Sequence, residues 1–183
     1  MVRGILLVLL KHVMLSWDDY YMGIALLCSK RSKDPSTQVG ACIVNPKSKH
    51  VISIGYNGFP VIPNKVNDLV FPWSKHAECE LDTKYMFVCH AELNAVLNKN
   101  QEDVFGCTIF TTLFPCNECA KLLVQSGIAR VVYLSDSKGE SVSARASRKM
   151  LSLAGVEVEE FQSDKSCIVV RMKDDHDRIP VCD

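Results

Sequence analysis

The sequence predicts an α/β protein, a β-sheet covered by helices, and three observations carry that expectation. Helix-periodic and β-rich segments alternate along most of the chain, the breaks between them fall at turn-forming residues, and no repeat, low-complexity tract or linker divides the 183 residues. A chain of that length fits one compact domain, expected over residues 16–172 between an N-terminal segment of open role, 1–15, and a polar tail, 173–183.

Ser16 to Ser32 reads as an amphipathic helix with Ser16 as its N-cap and Pro35 beyond its end; Tyr20, Ile24, Leu27 and Cys28 are the positions expected to be buried. Val39 to Val44 and Val51 to Tyr56 are β-rich runs joined by the polar stretch 45–50, the pattern of a hairpin. Phe59 to Val88 shows no clear period. Beyond it, Ala91 to Leu97 is helical, Cys107 to Thr112 a strand, Cys116 to Gly127 a helix stopped by its glycine, and Arg130 to Leu134 a strand. Val142 to Ala154 is a further helix ended by Gly155, while Val156 to Phe161 and Ser166 to Met172 read as edge strands. The tail from Asp174 is expected to fray.

Composition narrows the function. Apolar residues at 48% and charged residues at 23% are the balance of a soluble globular protein rather than a disordered one. Basic and acidic residues both total 21, so no large field draws a nucleic-acid backbone, and 8% aromatics leaves few platforms for flanking bases; a polynucleotide substrate is disfavoured. Nine cysteines, an odd number scattered through predicted strands and helices, point to a reducing compartment, hence the cytoplasm, with the nucleus as a further location. Arg3 followed by the apolar run Ile5 to Leu10 faintly suggests a secretory signal. The run is only six residues long, is followed by Lys11 and His12, lacks a small-residue cleavage site and is far too short to cross a bilayer, so no membrane association is expected.

Two clusters carry chemistry: His90-Ala91-Glu92 at the start of one helix and Pro115-Cys116-Asn117-Glu118-Cys119 at the start of another. Cysteines three apart at a helix N-terminus put both sulfurs on one face, and the free N–H groups and helix dipole favour the thiolates that zinc requires. Pro115 suits a helix start. His90, Cys116 and Cys119 would supply three ligands, leaving the fourth tetrahedral position for water, as in a catalytic rather than a structural zinc site. Glu92, two residues beyond the histidine, is then better used as a proton carrier than as a ligand.

At these residues the chain resembles the zinc-dependent cytidine and deoxycytidylate deaminase superfamily, most closely its deoxycytidylate (dCMP) deaminases. The likeness also covers Arg31 to Pro35, Gln38 to Ala41, Gly55 to Gly58, Leu81 to Tyr85, Val88 to Asn94 and Leu113 to Lys121. It implies a three-layer α/β/α cytidine-deaminase-like fold with a mixed five-stranded sheet, and hydrolysis of a deoxycytidine nucleotide, dCMP to dUMP with release of ammonia. It further implies that Asn57 contacts the deoxyribose, the Ala91 N–H the pyrimidine carbonyl and the Pro115 carbonyl the amine, and that the chain assembles as a trimer or hexamer.

Two segments depart from that family's pattern. Phe59 to Asp68 replaces the usual Met-Pro-x-Gly-Cys-x-Asp after Gly58, and Ser137-Lys138-Gly139-Glu140-Ser141 replaces a Tyr-His-Asp stretch after Asp136. Both are expected near the sugar and phosphates. With Arg145, Arg148 and Lys149 nearby, a dCTP deaminase with a rebuilt phosphate pocket is an alternative, and a catalytically silent nucleotide- or partner-binding fold is another. A second His-Ala-Glu at His76 to Glu78 is read as a decoy, because polar, loop-like residues follow it; with Cys79 it could at most contribute to a second, structural zinc. Cys28, Cys42, Cys107 and Cys167 lie in apolar runs and are expected in the core.

Overall fold

Ser16 does cap the first helix: its hydroxyl accepts from the Asp19 N–H at 3.0 Å, and α1 runs Trp17–Ser29. The structure, a computed structural model, describes residues 14–64 and 67–170, so the expectations for residues 1–13 and for the tail from Asp174 lie outside the described residues.

The buried face of α1 is only partly the one expected: Cys28 is buried, but Tyr20 and Leu27 are not. Tyr21, Met22 and Ala25 are buried with Cys28, and Ile24 is half-buried. Apolar residues occur almost all round this helix, so periodicity alone could not phase it. The packing does: α1 crosses β1 at Gly40, where a Cβ would overlap the Ala25 carbonyl and the Ser29 amide, so the Ala25–Ser29 line must face the strand.

Five strands form one sheet in the order β2-β1-β3-β4-β5: β1 Gly40–Val44, β2 Val51–Tyr56, β3 Thr108–Thr111, β4 Arg130–Tyr133 and β5 Glu157–Glu160. The expected hairpin pairs β1 with β2 antiparallel, Cys42 opposite Ile54; β3 adds antiparallel to β1, and β4 and β5 follow in parallel. Parallel neighbours need crossovers, and α3 (Asn117–Gln125) and α4 (Val142–Leu153) provide them, each followed by a left-handed glycine, Gly127 and Gly155. A further helix, α2, is Ala91–Leu97, and a single helical turn, Asn67–Val70, lies before it in the chain.

Side chains alternate across the strands and separate two apolar layers. Cys42, Val44, Phe110 and Val132 pack on α1; Ala41, Ile43, Ile109 and Val131 pack with Ala95 of α2, Leu123 of α3 and Leu151 of α4. This is the three-layer α/β/α arrangement with a mixed five-stranded sheet. Helix α2 sits directly on β2 because Gly55 has no side chain: a Cβ there would overlap the Ala91 carbonyl and the Ala95 amide. Gly55→Ala must push α2 off the sheet, and a loss of about 1–3 kcal/mol or more is expected from urea unfolding.

One predicted strand is not seen among the described residues. Among the described residues of Ser166 to Met172, those to Val170 are irregular. After β5 the chain leaves the sheet for α1, where the Ser163 hydroxyl donates to Asp19 Oδ1 at 2.6 Å and Lys165 Nζ to Asp19 Oδ2 at 3.3 Å. Cys28, Cys42 and Cys107 are core residues as expected; Cys167, on this departing segment, is exposed.

Candidate active site and metal centre

The two clusters singled out in the sequence meet at helix starts on the same side of the sheet. His90 is the N-cap of α2 and Cys116 the N-cap of α3. An isolated antiparallel bridge fixes the approach to His90: the Gly58 N–H donates to the Cys89 carbonyl at 3.0 Å, and the Cys89 N–H to the Gly58 carbonyl at 2.8 Å. His90 Nδ1 lies 3.4 Å from Sγ of Cys116 and 3.4 Å from Sγ of Cys119, and the three donor atoms fall within 4.8 Å of one another. One imidazole nitrogen and two sulfurs suit zinc, and three protein donors leave a fourth position open. Among the described residues no second group of this kind is found; His76, Glu78 and Cys79 are exposed and not gathered around a common point.

The two thiols behave as a pair. A hydrogen bond from Cys119, with further help from His90 and from the Cys119 N–H, holds Cys116 down at about 3 against the effect of burial. The same pairing, with burial and the charge of Glu92, pushes Cys119 up. A metal bound between them would favour the thiolate form of both. Glu92, 4% exposed in the first turn of α2, has its carboxyl pushed up by burial. Its backbone neighbour Ala91 opens the helix, so the Ala91 N–H has no intrahelical acceptor.

A cleft opens over these groups, and Asn57, Ala91, Glu92 and Pro115 all line it. Its far wall is a buried polar network that the sequence alone did not reveal. Lys84 pairs with Asp34, and both side chains are at most 5% exposed. Lys84 Nζ also donates to Ser36 Oγ at 2.8 Å, while Asp34 Oδ1 accepts from the Ser36 and Thr37 N–H groups at 2.9 and 3.1 Å. Asn57 is locked into the same network: Nδ2 donates to Asp34 Oδ2 at 3.2 Å and to the Thr37 carbonyl at 3.0 Å, and Oδ1 accepts from the Val39 N–H at 2.8 Å.

Burial, the largest influence on Asp34, pushes its carboxyl up, but the Lys84 hydrogen bond and those from Ser36 and Thr37 outweigh it and leave the group below 3.8. A depressed folded value means that this carboxylate adds stability above the unfolded value and loses it as pH falls through the lower folded one. Lys84→Met leaves the Asp34 charge buried without its partner and is expected to cost about 3–5 kcal/mol at pH 7. The deficit should shrink towards pH 4, as the unpaired carboxyl takes up a proton; urea unfolding of both proteins at the two pH values checks this.

Residues 15–135 match the family described as the cytidine and deoxycytidylate deaminase zinc-binding region. The chain belongs to that deaminase family. Curated relatives include the deoxycytidylate deaminases of Mus musculus and Homo sapiens, each 51% identical over 156 residues that make up 85% of this chain and 85% of the relative. A dCMP deaminase of the cyanophage S-TIM5, solved in complex with dCMP and dUMP, is 29% identical with a TM-score of 0.60, covering 78% of this chain and 95% of the other. Membership makes the chain a zinc-dependent nucleotide deaminase.

Within this deaminase cleft the cations differ from those the sequence suggested. Arg145 and Lys149 do not line it, and neither does Arg148, which pairs with Asp136 and lies over the Phe114 ring at 4.2 Å. The lysines that do are Lys75, Lys84 and Lys138. Lys84 and Asp34 belong to family-like passages, but nothing in a sequence shows that residues 50 apart pair. Lys75 sits in the stretch without a period, where no element could be assigned to place it.

Proposed function

We propose that this chain hydrolyses dCMP to dUMP and ammonia, with His90, Cys116 and Cys119 holding the zinc and Glu92 moving the protons. The observation that carries the reading is the meeting of three donor atoms within 4.8 Å beside a buried glutamate, in a cleft also lined by Asn57, Ala91 and Pro115. Zinc, when bound, supplies the Lewis acid that acidifies the attacking water. Glu92 accepts a proton from that water and passes it to N3 of the cytosine ring. The oxygen bonds to C4, a second proton travels through Glu92 to the exocyclic amine, and the C4–N bond breaks to give ammonia and the uracil carbonyl. A carboxyl pushed up by burial holds a proton more readily between these transfers.

Three further groups orient the substrate. The Ala91 N–H, free at the helix start, donates to the C2 carbonyl, and the Pro115 carbonyl accepts from the amine. Asn57 faces the sugar only as an acceptor: its two N–H bonds are given to Asp34 and Thr37, while Oδ1 keeps a lone pair for the deoxyribose hydroxyl. Thus the Lys84–Asp34 pair positions Asn57 rather than touching the base.

The catalytic unit in this reading is residues 16–172, and copies associate as a trimer or hexamer. Leu26, Leu27, Ile54 and Tyr56, apolar and exposed on α1 and the edge strand β2, support association. No helix among the described residues is long and apolar enough to cross a membrane. Both site cysteines must stay reduced to bind metal, which favours the cytoplasm or nucleus.

The test is a substrate panel of dCMP, dCTP and a cytosine-containing oligonucleotide with zinc-replete protein, followed by chromatography of cytosine and uracil products. Turnover of dCMP is expected to exceed the others by at least about tenfold. Preference for dCTP would replace the monophosphate reading with a triphosphate one, and activity on the oligonucleotide alone would make the chain an editor.

A further inference from the structure

We propose that Lys75 and Lys138 form the subsite that receives the 5′-phosphate and so set the preference for a nucleotide over a nucleoside; this rests on the dCMP reading above. Lys75, Lys84 and Lys138 line the cleft. Of the three lysines lining it, Lys84 is buried and spent on Asp34 and Ser36. Arg148, whose position in sequence suggested phosphate contact, is spent on Asp136 and the Phe114 ring. Lys75 and Lys138 remain, both exposed where the cleft meets solvent.

Neither lies in a family-like passage: Lys138 falls in the second departing segment, and Lys75 between the first, Phe59 to Asp68, and the family-like Leu81 to Tyr85. Lys138 stands in the turn between β4 and α4, where Ser137 to Ser141 departs from the usual Tyr-His-Asp. That turn is ordered by backbone bonds from Gly139 to Asp136 at 3.3 Å and from Ser141 to Lys138 at 2.9 Å.

Lys75 belongs to the segment before α2, which carries only short helical turns, Asn67–Val70, Glu80–Asp82 and Lys84–Met86, and is held by aromatic contacts. Phe59 packs on Trp73 at 4.1 Å and on Phe71 at 5.2 Å, and Phe71 stacks on Phe87 at 4.9 Å. The Lys84 N–H donates to the Ser74 carbonyl at 2.9 Å, next to Lys75 itself, so the buried ion pair and the rim lysine share one backbone anchor. Two separate segments thus bring one ammonium each to one opening.

The charge count favours a monophosphate. A phosphate monoester carries about two negative charges at neutral pH, and two otherwise uncommitted ammoniums match it. A triphosphate adds charge for which the cleft lining offers no further cation among the described residues. Lysines act on phosphate as flexible point charges, so the subsite supplies attraction that depends on salt more than fixed bidentate geometry.

The test compares kcat/KM for dCMP with kcat/KM for deoxycytidine in wild type, Lys75→Met, Lys138→Met and the double variant, with Lys138→Arg as the charge-preserving control. Each methionine variant is expected to lower the dCMP-to-deoxycytidine ratio by about 10- to 100-fold, mostly through KM, as for loss of a hydrogen bond to a charged group. The double variant should fall further and lose the rise of KM with ionic strength, while Lys138→Arg keeps most of the ratio. A wild type that prefers dCMP, with variants whose ratio is unchanged, overturns the subsite and leaves the dCMP reading standing; parallel losses on both substrates do the same, since they mean a structural role. A wild-type ratio near one removes the dCMP reading itself, and the subsite with it.

Discussion

Glu92→Gln is expected to lower kcat on dCMP by about 10²- to 10⁴-fold, the usual share of a positioned acid–base group, while zinc content stays at that of wild type. Glutamine keeps the shape of a side chain that is 4% exposed and brings no charge to bury, so the fold should tolerate it. It removes only the ability to accept a proton from water and return it to N3 and the amine. Glu92 is not needed to complete the donor group, because His90, Cys116 and Cys119 already bring three atoms within 4.8 Å. Activity loss without metal loss is therefore the signature of the proton carrier. If Glu92→Gln lost its zinc in step with its activity, the residue would be part of the metal cage.

The second large effect falls on the cage. Cys119→Ala should reduce zinc from about one ion per chain to near zero and abolish turnover, because a site of two neutral or singly charged donors does not retain the metal. Cys119 is 3% exposed and lies in the first turn of α3, so no other side chain can take its place without moving the helix. Without the ion, Cys116 and the His90 ring remain as a paired remnant, and thermal stability should fall towards that of chelated wild type. Zinc analysis and melting curves on wild type, Cys119→Ala and chelator-treated wild type give this comparison directly. A Cys119→Ala protein that still carries one zinc would show the metal to be held elsewhere.

The sequence announced the metal centre because helix starts are locally encoded. Pro115, the Cys-x-x-Cys spacing and the histidine two residues before a glutamate are short-range patterns whose geometry follows from the first turn of a helix. The strands of the sheet were readable for a similar reason, since β-branched and apolar runs bounded by Asn45-Pro46, Gly106 or Gly127 leave few other choices. What depended on tertiary packing was not readable. Of Tyr20, Ile24, Leu27 and Cys28, the positions periodicity places on the buried face of α1, Tyr20 and Leu27 are exposed, because Gly40 lets Ala25 and Ser29 approach β1. Ser166 to Val170 had strand composition, yet Ser163 and Lys165 bind Asp19 and draw the chain across α1.

The substrate end of the cleft divides in the same way. Asn57 was visible through a family likeness, but the Lys84–Asp34 pair that immobilises it joins residues 50 apart and leaves no local trace. Arg145 and Arg148 looked like phosphate ligands by proximity in sequence; helical geometry turns Arg148 onto Phe114 and Asp136 instead. Lys75 came from a stretch in which aromatic packing, not periodicity, sets the backbone.

The most direct test of the central claim is the measurement of dUMP and ammonia formed from dCMP by zinc-replete wild-type protein, before and after removal of the metal by a chelator and after zinc is restored. The account predicts equal amounts of the two products, loss of both on chelation and their return with zinc. A folded protein carrying one zinc ion that leaves dCMP unchanged would contradict it.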